Sequence, residues 1–447
     1  MKKAAILLLA LLMLFIPSCN KKPDNGGNGE EVFDPDENLD LDNIFFDDFT
    51  NGINPDIWEI AHRKWQVTNN GVIFENVNYT ADGTLVLQAN GDNYAGPFKG
   101  YESDDGRRTG AAIITNKALG PGRFEVRMKI LPRFGATSAI WTFYYDDVLG
   151  LNQEIDIELN VRNDFRTFWV THWITEVIRD HSEIKMDILH NDGEYHIYRF
   201  DWHTNPRRID YYIDNILVYS STLNVPNHAG RFWVGHWFPE GWAGTPDFET
   251  DYMFVDWVKY TPYLNNPYVE TEDGRTQFAH RYPKEPIKMP INNLISNPRF
   301  DGREEAWRKE PNSQIKFVNE GLNGPKAMHV PKNDIAYQFI SGMDETFELT
   351  LTVRAKLNNL NDKGYVLVEL RPLETALIDS FVIEFSKDDP EFVLGEYYEK
   401  TITFKIKPGT KRLEVSLIGS EGEGIYFDEI YLNVISKPYS LYRAQYE

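Results

Sequence analysis

Three acidic residues alternate with three aliphatic residues in the segment 153–159, Gln-Glu-Ile-Asp-Ile-Glu-Leu. If this segment is a strand, Glu154, Asp156 and Glu158 share one face, because successive side chains on a strand point to opposite sides. Neighbouring members of this set are then about 6.6 Å apart along the strand, and their mutual repulsion raises at least one carboxyl pKa. A retaining glycoside hydrolase uses two carboxyl groups about 5–5.5 Å apart, one as nucleophile and one as acid/base.

A solvent-facing acidic strand is the alternative interpretation, since half-exposed strands also alternate polar and apolar residues. Exposed strands more often carry Thr, Lys and charges of both signs than three acids on one face. The pattern therefore favours catalysis by a pair of carboxyl groups in a bent sheet.

The composition excludes some classes of partner. A net charge of −22 argues against binding to nucleic acid or to anionic membrane surfaces, and against a strongly sulfated polysaccharide unless a local basic cleft exists. The 447 residues include 11 Trp and 24 Tyr, whose rings either stack on sugars or pack in β-sheet cores.

The first residues resemble a bacterial lipoprotein signal. Lys2 and Lys3 precede the apolar run 4–16, which is too short to span a membrane comfortably and leads to Cys19, the only cysteine in the chain. We expect Cys19 to be lipidated and to anchor the protein in the bacterial cell envelope, in the outer membrane, at its surface or periplasmic face. An ordinary secretory signal with an incidental cysteine is the alternative.

Short strands and turns fill the rest of the chain. Strands at near-even spacing, without amphipathic helices between them, predict an all-β chain with a two-sheet antiparallel sandwich and a second, smaller sandwich. Residues Asp214 and Asn215 form a two-residue hairpin turn between two alternating runs. The predicted organisation is a signal and lipidation site (1–19), a flexible tether (20–43), a catalytic sandwich (44–262), a linker (263–290) and a second sandwich (291–447).

The first sandwich resembles glycoside hydrolase family 16, a curved jelly roll with a glycan cleft. The resemblance rests on residues 154–158 (Glu-Ile-Asp-Ile-Glu) and on three later segments in the same order, 195–202, 209–214 and 255–260. It implies that Glu154 is the nucleophile, that Glu158 is the acid/base and that Asp156 supports both. The single residue between Asp156 and Glu158 resembles the licheninase and xyloglucan-transglycosylase branch.

Other residues are candidates for contact with the substrate. Aromatic rings are the usual platforms for sugars, and histidines stand near the positions where relatives carry Asn, Tyr or Trp. The candidates are Trp141, His172, Trp173, His236, Trp237 and Trp242. The alternative for each is a role in the core. Arg162 and Arg166 either read an anionic substituent or balance the acidic strand.

No cofactor is required by this chemistry. The resemblance implies a structural calcium on the convex side, held partly through Asp256. No oxygen-ligand loop of the EF-hand type supports it.

The second sandwich resembles a carbohydrate-binding module of the family 4/9 type. The resemblance rests on residues 294–300 with Trp307 and on residues 425–430. Such a sandwich either binds glycan or serves only as a structural partner.

The function expected from this resemblance is retaining, endo-acting hydrolysis of a β-linked polysaccharide, most simply a β-glucan of the 1,3-1,4 or 1,4 type. The alternatives are an endo-β-galactanase acting on algal galactan or host mucin-type glycan, and a catalytically silent surface lipoprotein that captures glycan. A third alternative is a structural surface protein. We expect a monomer whose partners are the polysaccharide and, through the lipid, the membrane.

Overall fold

Antiparallel strands make up almost all of the chain in the residues that the structure describes, and they build four large sheets and one small hairpin. The computed structural model describes residues 35–65, 69–100, 108–160, 167–175, 178–185, 190, 192–239, 243–264, 284–290, 293–302, 304–341, 343, 347–372 and 376–435. Short 3-10 turns lie at Leu41–Asn43, Phe74–Asn76 and Glu304–Ala306. The prediction of an all-β chain is confirmed.

Two sheets form the first sandwich. One has the strand order β15-β14-β13-β8-β17-β6-β5, with β1 beside β17, and the other has the order β12-β11-β10-β9-β16-β7-β2. A separate hairpin joins β3 and β4. The strands are β1 (Phe45–Asp47), β2 (Trp58–Ile60), β3 (Arg63–Trp65), β4 (Asn69–Val72), β5 (Val77–Tyr79), β6 (Leu85–Asn90), β7 (Ala111–Leu119), β8 (Gly122–Lys129), β9 (Thr137–Asp146), β10 (Leu151–Asn160), β11 (Thr167–Trp173), β12 (Arg179–Lys185), β13 (His196–Thr204), β14 (Arg207–Ile213), β15 (Ile216–Ser221), β16 (Gly230–Trp237) and β17 (Thr250–Pro262).

Alternate side chains from each sheet build the core of this sandwich. Ile155 and Ile157 of β10 are fully buried and share one hydrophobic core with Phe124 of β8 and Phe200 of β13. Burying one such side chain contributes about 1.5–3 kcal/mol. A slip of β10 by one residue would expose these side chains and bury the acids instead, so the core fixes the register.

The hairpin predicted at Asp214 and Asn215 is present. It connects β14 with β15, and both turn residues have positive φ, at 50° and 67°. A type I′ turn requires this conformation at both positions, and Asn and Asp tolerate it better than most residues.

The second sandwich follows with two five-stranded sheets, in the orders β18-β21-β26-β23-β24 and β19-β20-β27-β22-β25. On β22 and β23, buried and partly exposed residues alternate, which is the pattern of strands with one face in a core. The strands are β18 (Arg308–Lys309), β19 (Lys316–Val318), β20 (Ala327–Val330), β21 (Ile335–Ser341), β22 (Glu348–Lys356), β23 (Lys363–Arg371), β24 (Asp379–Phe385), β25 (Tyr397–Lys405), β26 (Arg412–Glu421) and β27 (Ile425–Val434).

Buried polar contacts join the two sandwiches. Arg133, between β8 and β9, donates to the Asp251 carboxylate of β17 and to the backbone carbonyls of Asn293 and Leu294. The Ser296 hydroxyl donates to the carbonyl of Asp247 over 3.4 Å. Because buried charge is stabilised only by complete pairing, these contacts fix the junction.

Two predicted connections differ in the structure. The sequence predicts a tether that extends to residue 43. In the structure, Leu39 forms a β-bridge with Tyr263, and the Asp40 amide donates to the Pro262 carbonyl over 2.8 Å. These backbone bonds hold residues 38–43 against the first sandwich. Within the predicted linker, the Ile287 amide donates to the Tyr79 carbonyl over 2.8 Å, so residues 284–290 lie along that sandwich.

By their contacts, the described residues from Asn38 onward belong to one unit. Residues 35–37 lie in a turn. The predicted signal and Cys19 lie outside the described residues. In the described part of the chain, no helix is both long enough and apolar enough to cross a membrane.

Candidate active site

Strand β10 lies inside its sheet, paired with β9 on one side and β11 on the other. Ile155, Ile157 and Leu159 are fully buried in the core. Glu154, Asp156 and Glu158 therefore lie on the outer face of the sheet, as the sequence predicts. We call this outer face the carboxylate face.

Burial dominates the electrostatics of these three acids. Asp156 is only 6% exposed, and Glu154 and Glu158 are half-buried. Burial raises the pKa of Glu154 to about 7, and burial together with the charge on Glu154 raises the pKa of Glu158 to about 8. Burial and the charges on both neighbours hold the pKa of Asp156 well above its ordinary value.

Hydrogen bonds distinguish Glu154 from Glu158. The side chains of Asn152 and Asp156 both bond to Glu154 and favour its ionised form. The bond to Glu154 also favours the protonated form of Asp156, so the proton lies on Asp156 and Glu154 accepts it. Glu158 has the higher pKa of the two glutamates and keeps its proton longer as pH rises. Two carboxyl groups with separated pKa values are the requirement for an acid and a nucleophile on one site.

Aromatic rings form the floor beside the acids. Trp141 of β9 lies directly opposite Asp156, and it stacks on Trp233 of β16 with 5.2 Å between ring centroids and 18° between planes. Both rings are 6% exposed. On the other side of β10, Trp173 lies opposite Glu154, with the Arg179 guanidinium 4.8 Å from its ring centroid.

The first sandwich is similar to known proteins. Residues 62–259 match the sequence profile of Glycosyl hydrolases family 16. This span contains the carboxylate face and most of both sheets.

Residues 62–259 are thus similar to family 16 glycosyl hydrolases, and we call this span the family 16 domain after that similarity.

Curated relatives agree with this assignment. The chain is similar to the β-glucanase of Paenibacillus macerans, with 28% identity over 204 residues, 43% of this chain and 79% of that protein. It is also similar to the β-glucanase of Paenibacillus polymyxa, with 27% identity over 229 residues, 49% of this chain and 88% of that protein. The protein is thus a glycoside hydrolase, which acts on O-glycosyl bonds.

Among solved structures, the chain is similar to a prokaryotic β-1,3-1,4-glucanase (lichenase) derived from a mouse hindgut metagenome. The identity is 26%, the TM-score is 0.42, and the match covers 49% of this chain and 99% of that one.

Three of the predicted contact residues lie on the carboxylate face of the family 16 domain. Trp141 and Trp173 flank β10, and Trp237 of β16 lies opposite Thr137 at the start of β9. Trp242, Arg162 and Arg166 lie outside the described residues.

The prediction of substrate contact is wrong for two histidines. His172 lies opposite Ile155, so it points into the core, where its ring nitrogens lie 3.2 Å from the Tyr211 and Ser221 hydroxyls. His236 lies between Gly235 and Trp237 on β16 and is also buried on the core side; burial lowers its pKa to about 4. Alternation along each strand places both histidines away from the substrate face.

Sequence reasoning missed three features of this face. Trp233 is four residues before Trp237 on the same strand, and this even spacing was an available signal. Asn152 likewise precedes Glu154 by two. The buried ion pair between Arg231 and Glu59, with 2.6 Å between Nη2 and Oε2, closes the far side of the aromatic floor, and no sequence signal connected these two residues.

The predicted calcium ligand does not fit. The Asp256 carboxylate pairs with the Arg127 guanidinium, which already neutralises its charge. Among the described residues, no group of three or more His, Cys, Asp or Glu side chains is placed to hold a metal ion.

The raised pKa of Glu158 predicts a pH-dependent cost to stability. Its folded-state pKa of about 8 exceeds that of an unfolded Glu, so the folded state retains the proton between roughly pH 4.5 and 8. The free energy of unfolding of the wild type, compared with that of Glu158→Gln, should therefore fall as pH rises through this window. We expect the variant to be more stable than wild type by about 1–3 kcal/mol at pH 9 and equally stable near pH 4.

Urea unfolding at a series of pH values measures this difference. Glu183→Gln, an exposed carboxylate on β12 of the same sheet, is the matched control and should follow wild type. Parallel stability curves for wild type and Glu158→Gln would contradict the interpretation of a half-buried Glu158 with a raised pKa.

Proposed function

We propose that the protein is a retaining, endo-acting β-glucanase in which Glu154 is the nucleophile and Glu158 is the acid/base. The observation that carries this proposal is the pair of glutamates on one face, with pKa values of about 7 and about 8 and with Asp156 between them. The relatives named above are β-glucanases, and the chain spans most of their length. The spacing of the three acids supports a glucan of the 1,3-1,4 or 1,4 type.

The first step makes a covalent intermediate. The Glu154 carboxylate attacks the anomeric carbon and forms a glycosyl ester, while Glu158 gives its proton to the glycosidic oxygen as that bond breaks. The leaving sugar departs with this proton. Glu158 is then ionised.

The second step restores the enzyme. Glu158 removes a proton from a water molecule, whose oxygen attacks the anomeric carbon and releases Glu154 as a carboxylate. Two displacements at one carbon retain the β configuration. Asp156 keeps its proton and donates a hydrogen bond to Glu154, which holds the nucleophile ionised before attack.

The tryptophans of the carboxylate face are proposed to hold the sugar rings. Trp173 is half-buried beside Glu154 and has the more accessible ring, whereas Trp141 is packed against Trp233 and supports the floor. The aromatic ring faces give a sugar an apolar platform. Trp237 would contact a sugar bound near the start of β9.

The two alternative activities are not favoured. A galactanase would have the same mechanism, but the relatives named above are not galactanases. A silent capture protein has no reason to retain three closely spaced acids that repel one another.

Kinetics on purified protein tests the assignment. We expect hydrolysis of mixed-linkage β-glucan, with kcat/KM bell-shaped in pH and limbs near the pKa values of about 7 and about 8. Glu158→Gln should lower kcat by about 10²–10⁴ and remove the alkaline limb, and Glu154→Gln should abolish turnover. The control Glu396→Gln, which changes an exposed carboxylate of the second sandwich, should match wild type.

A panel of laminarin, xyloglucan, agar-type galactan and mucin glycans extends this assay. Activity confined to a galactan or mucin would overturn the proposed substrate. Full activity in Glu154→Gln would overturn the proposed nucleophile.

We also propose that the protein acts as a monomer at the bacterial envelope. The lipoprotein-like signal and Cys19 support a lipid anchor in the outer membrane.

The second sandwich is proposed to bind glycan on the outer face of the sheet that contains β20, β22, β25 and β27. Lys356 lies with its Nζ 5.0 Å from the ring centroids of both Tyr397 and Tyr426, and Tyr426 stacks on His329 at 4.5 Å. Glu320 pairs with Lys356 over 2.8 Å. A row of half-buried rings with fixed polar groups is suited to a sugar chain.

Tyr426→Ala should weaken retention of the protein on an insoluble β-glucan several-fold, because the row of rings loses one of its members. Hydrolysis of a soluble oligosaccharide should not change. Tyr365→Ala, a half-buried tyrosine on the other sheet of this sandwich, is the control. Equal retention of the Tyr426→Ala variant and wild type would exclude this surface.

A further inference from the structure

A cavity of about 400 Å³ lies at the junction of the two sandwiches. Residues 132–134, Thr245, Asp247 and Phe248 of the family 16 domain line one side of it. The second sandwich contributes the other side through Arg308, Phe339 and Arg412. Neither the catalytic mechanism nor the proposed glycan surface uses these residues.

The lining is basic although the chain is acidic. The described residues that line it include three arginines, Arg133, Arg308 and Arg412, and one acid, Asp247. The whole chain has a net charge of −22. Because Arg133 is paired with Asp251, the remaining excess is one positive charge, from Arg308 and Arg412 against Asp247, and such an excess attracts an anion from solution.

Arg133 has a structural role, because its Nε, Nη1 and Nη2 atoms already donate hydrogen bonds to Asp251 and to two backbone carbonyls. Arg308 is 53% exposed and lies 3.7 Å from Asp247, a separation at which a surface pair contributes little. It is available to a ligand.

Arg412 is held in place without being fully paired. Its guanidinium carbon lies 4.2 Å from the centroid of the Phe339 ring, and that of Arg308 lies 5.0 Å from the same centroid. The Nε atom of Arg412 is buried, and no residue in the described part of the chain accepts a hydrogen bond from it. The residue as a whole is half-buried, and its charge also interacts with the Glu414 carboxylate. A buried donor without an acceptor is costly unless a ligand supplies one.

The cavity is close to the substrate face along the chain. Phe134, in its lining, precedes Thr137 by three residues, and Thr137 lies opposite Trp237 on the carboxylate face. A saccharide that leaves the cleft at this end would pass the junction.

We infer that this cavity binds the anionic group, a carboxylate or a sulfate, of an acidic saccharide, with Arg308 and Arg412 as the recognising residues. The choice of a saccharide rests on the proposed function. Planar guanidinium groups suit such oxyanions because they donate two parallel hydrogen bonds. The Phe339 ring fixes the orientation of both side chains and so lowers the entropy cost of binding.

Isothermal titration calorimetry on the purified protein tests the inference with four probes. These are cellobiouronic acid, cellobiose 6-sulfate, neutral cellobiose and inorganic sulfate. Glu154→Gln protein is used throughout, so that hydrolysis cannot consume a probe. We expect at least one acidic disaccharide to bind about tenfold or more tightly than cellobiose and inorganic sulfate.

Arg308→Gln and Arg412→Gln should each weaken this binding by about tenfold. Lys387→Gln, which removes one exposed positive charge from the second sandwich outside the cavity, should bind as the parent does. If Arg412→Gln does not fold, the Arg308→Gln variant alone tests the inference, because the Arg308 side chain is exposed. Binding of only one acidic disaccharide identifies its charged group as the one recognised.

Three results would overturn the inference: no preference for acidic over neutral disaccharide, sulfate ion binding as tightly as the disaccharides, or unchanged binding in both arginine variants. In the active protein, Arg308→Gln should hydrolyse neutral β-glucan at the wild-type rate. A protein that binds the acidic probe but hydrolyses no β-glucan would refute the proposed function and leave the anion site standing.

Discussion

The two-residue period of β10 is the constraint on which the site depends. Its aliphatic residues must enter the core, and this requirement alone turns Glu154, Asp156 and Glu158 to the outer face. Pairing with β9 and β11 then places tryptophans on both sides of the acids. Because a slip of one residue would bury three carboxyl groups, the same hydrophobic contacts that stabilise the sandwich also position the chemistry.

Placing three acids on a packed sheet has an electrostatic consequence. Burial raises all three pKa values, and repulsion by neighbouring carboxylates adds to the rise for Asp156 and Glu158. The hydrogen bonds from Asn152 and Asp156 make Glu154 the more readily ionised of the two glutamates. The family 16 domain thus separates an acid from a nucleophile through local contacts within one strand. The cost is a folded state that binds protons more tightly than the unfolded chain, which is a common trade of stability for function.

Alternation within single strands was readable from the sequence, and contacts between strands were not. The carboxylate face and the Asp214-Asn215 turn follow from local rules. The sequence prediction places both His172 and His236 on the substrate face beside Trp173 and Trp237, although neighbours on a strand point to opposite sides. The ion pair of Asp256 with Arg127 and the junction cavity depend on which strands meet, and spacing along one chain does not encode this directly.

Covalent trapping tests the central claim most directly. The protein would be incubated with an activated 2-deoxy-2-fluoro β-glucan oligosaccharide, whose fluorine slows hydrolysis of the glycosyl ester more than its formation. Peptide mapping by mass spectrometry then locates the added sugar. Our account predicts a stoichiometric label on Glu154 and none on Glu158 or Asp156. A label on either of those residues, or inactivation without any covalent sugar, would contradict it.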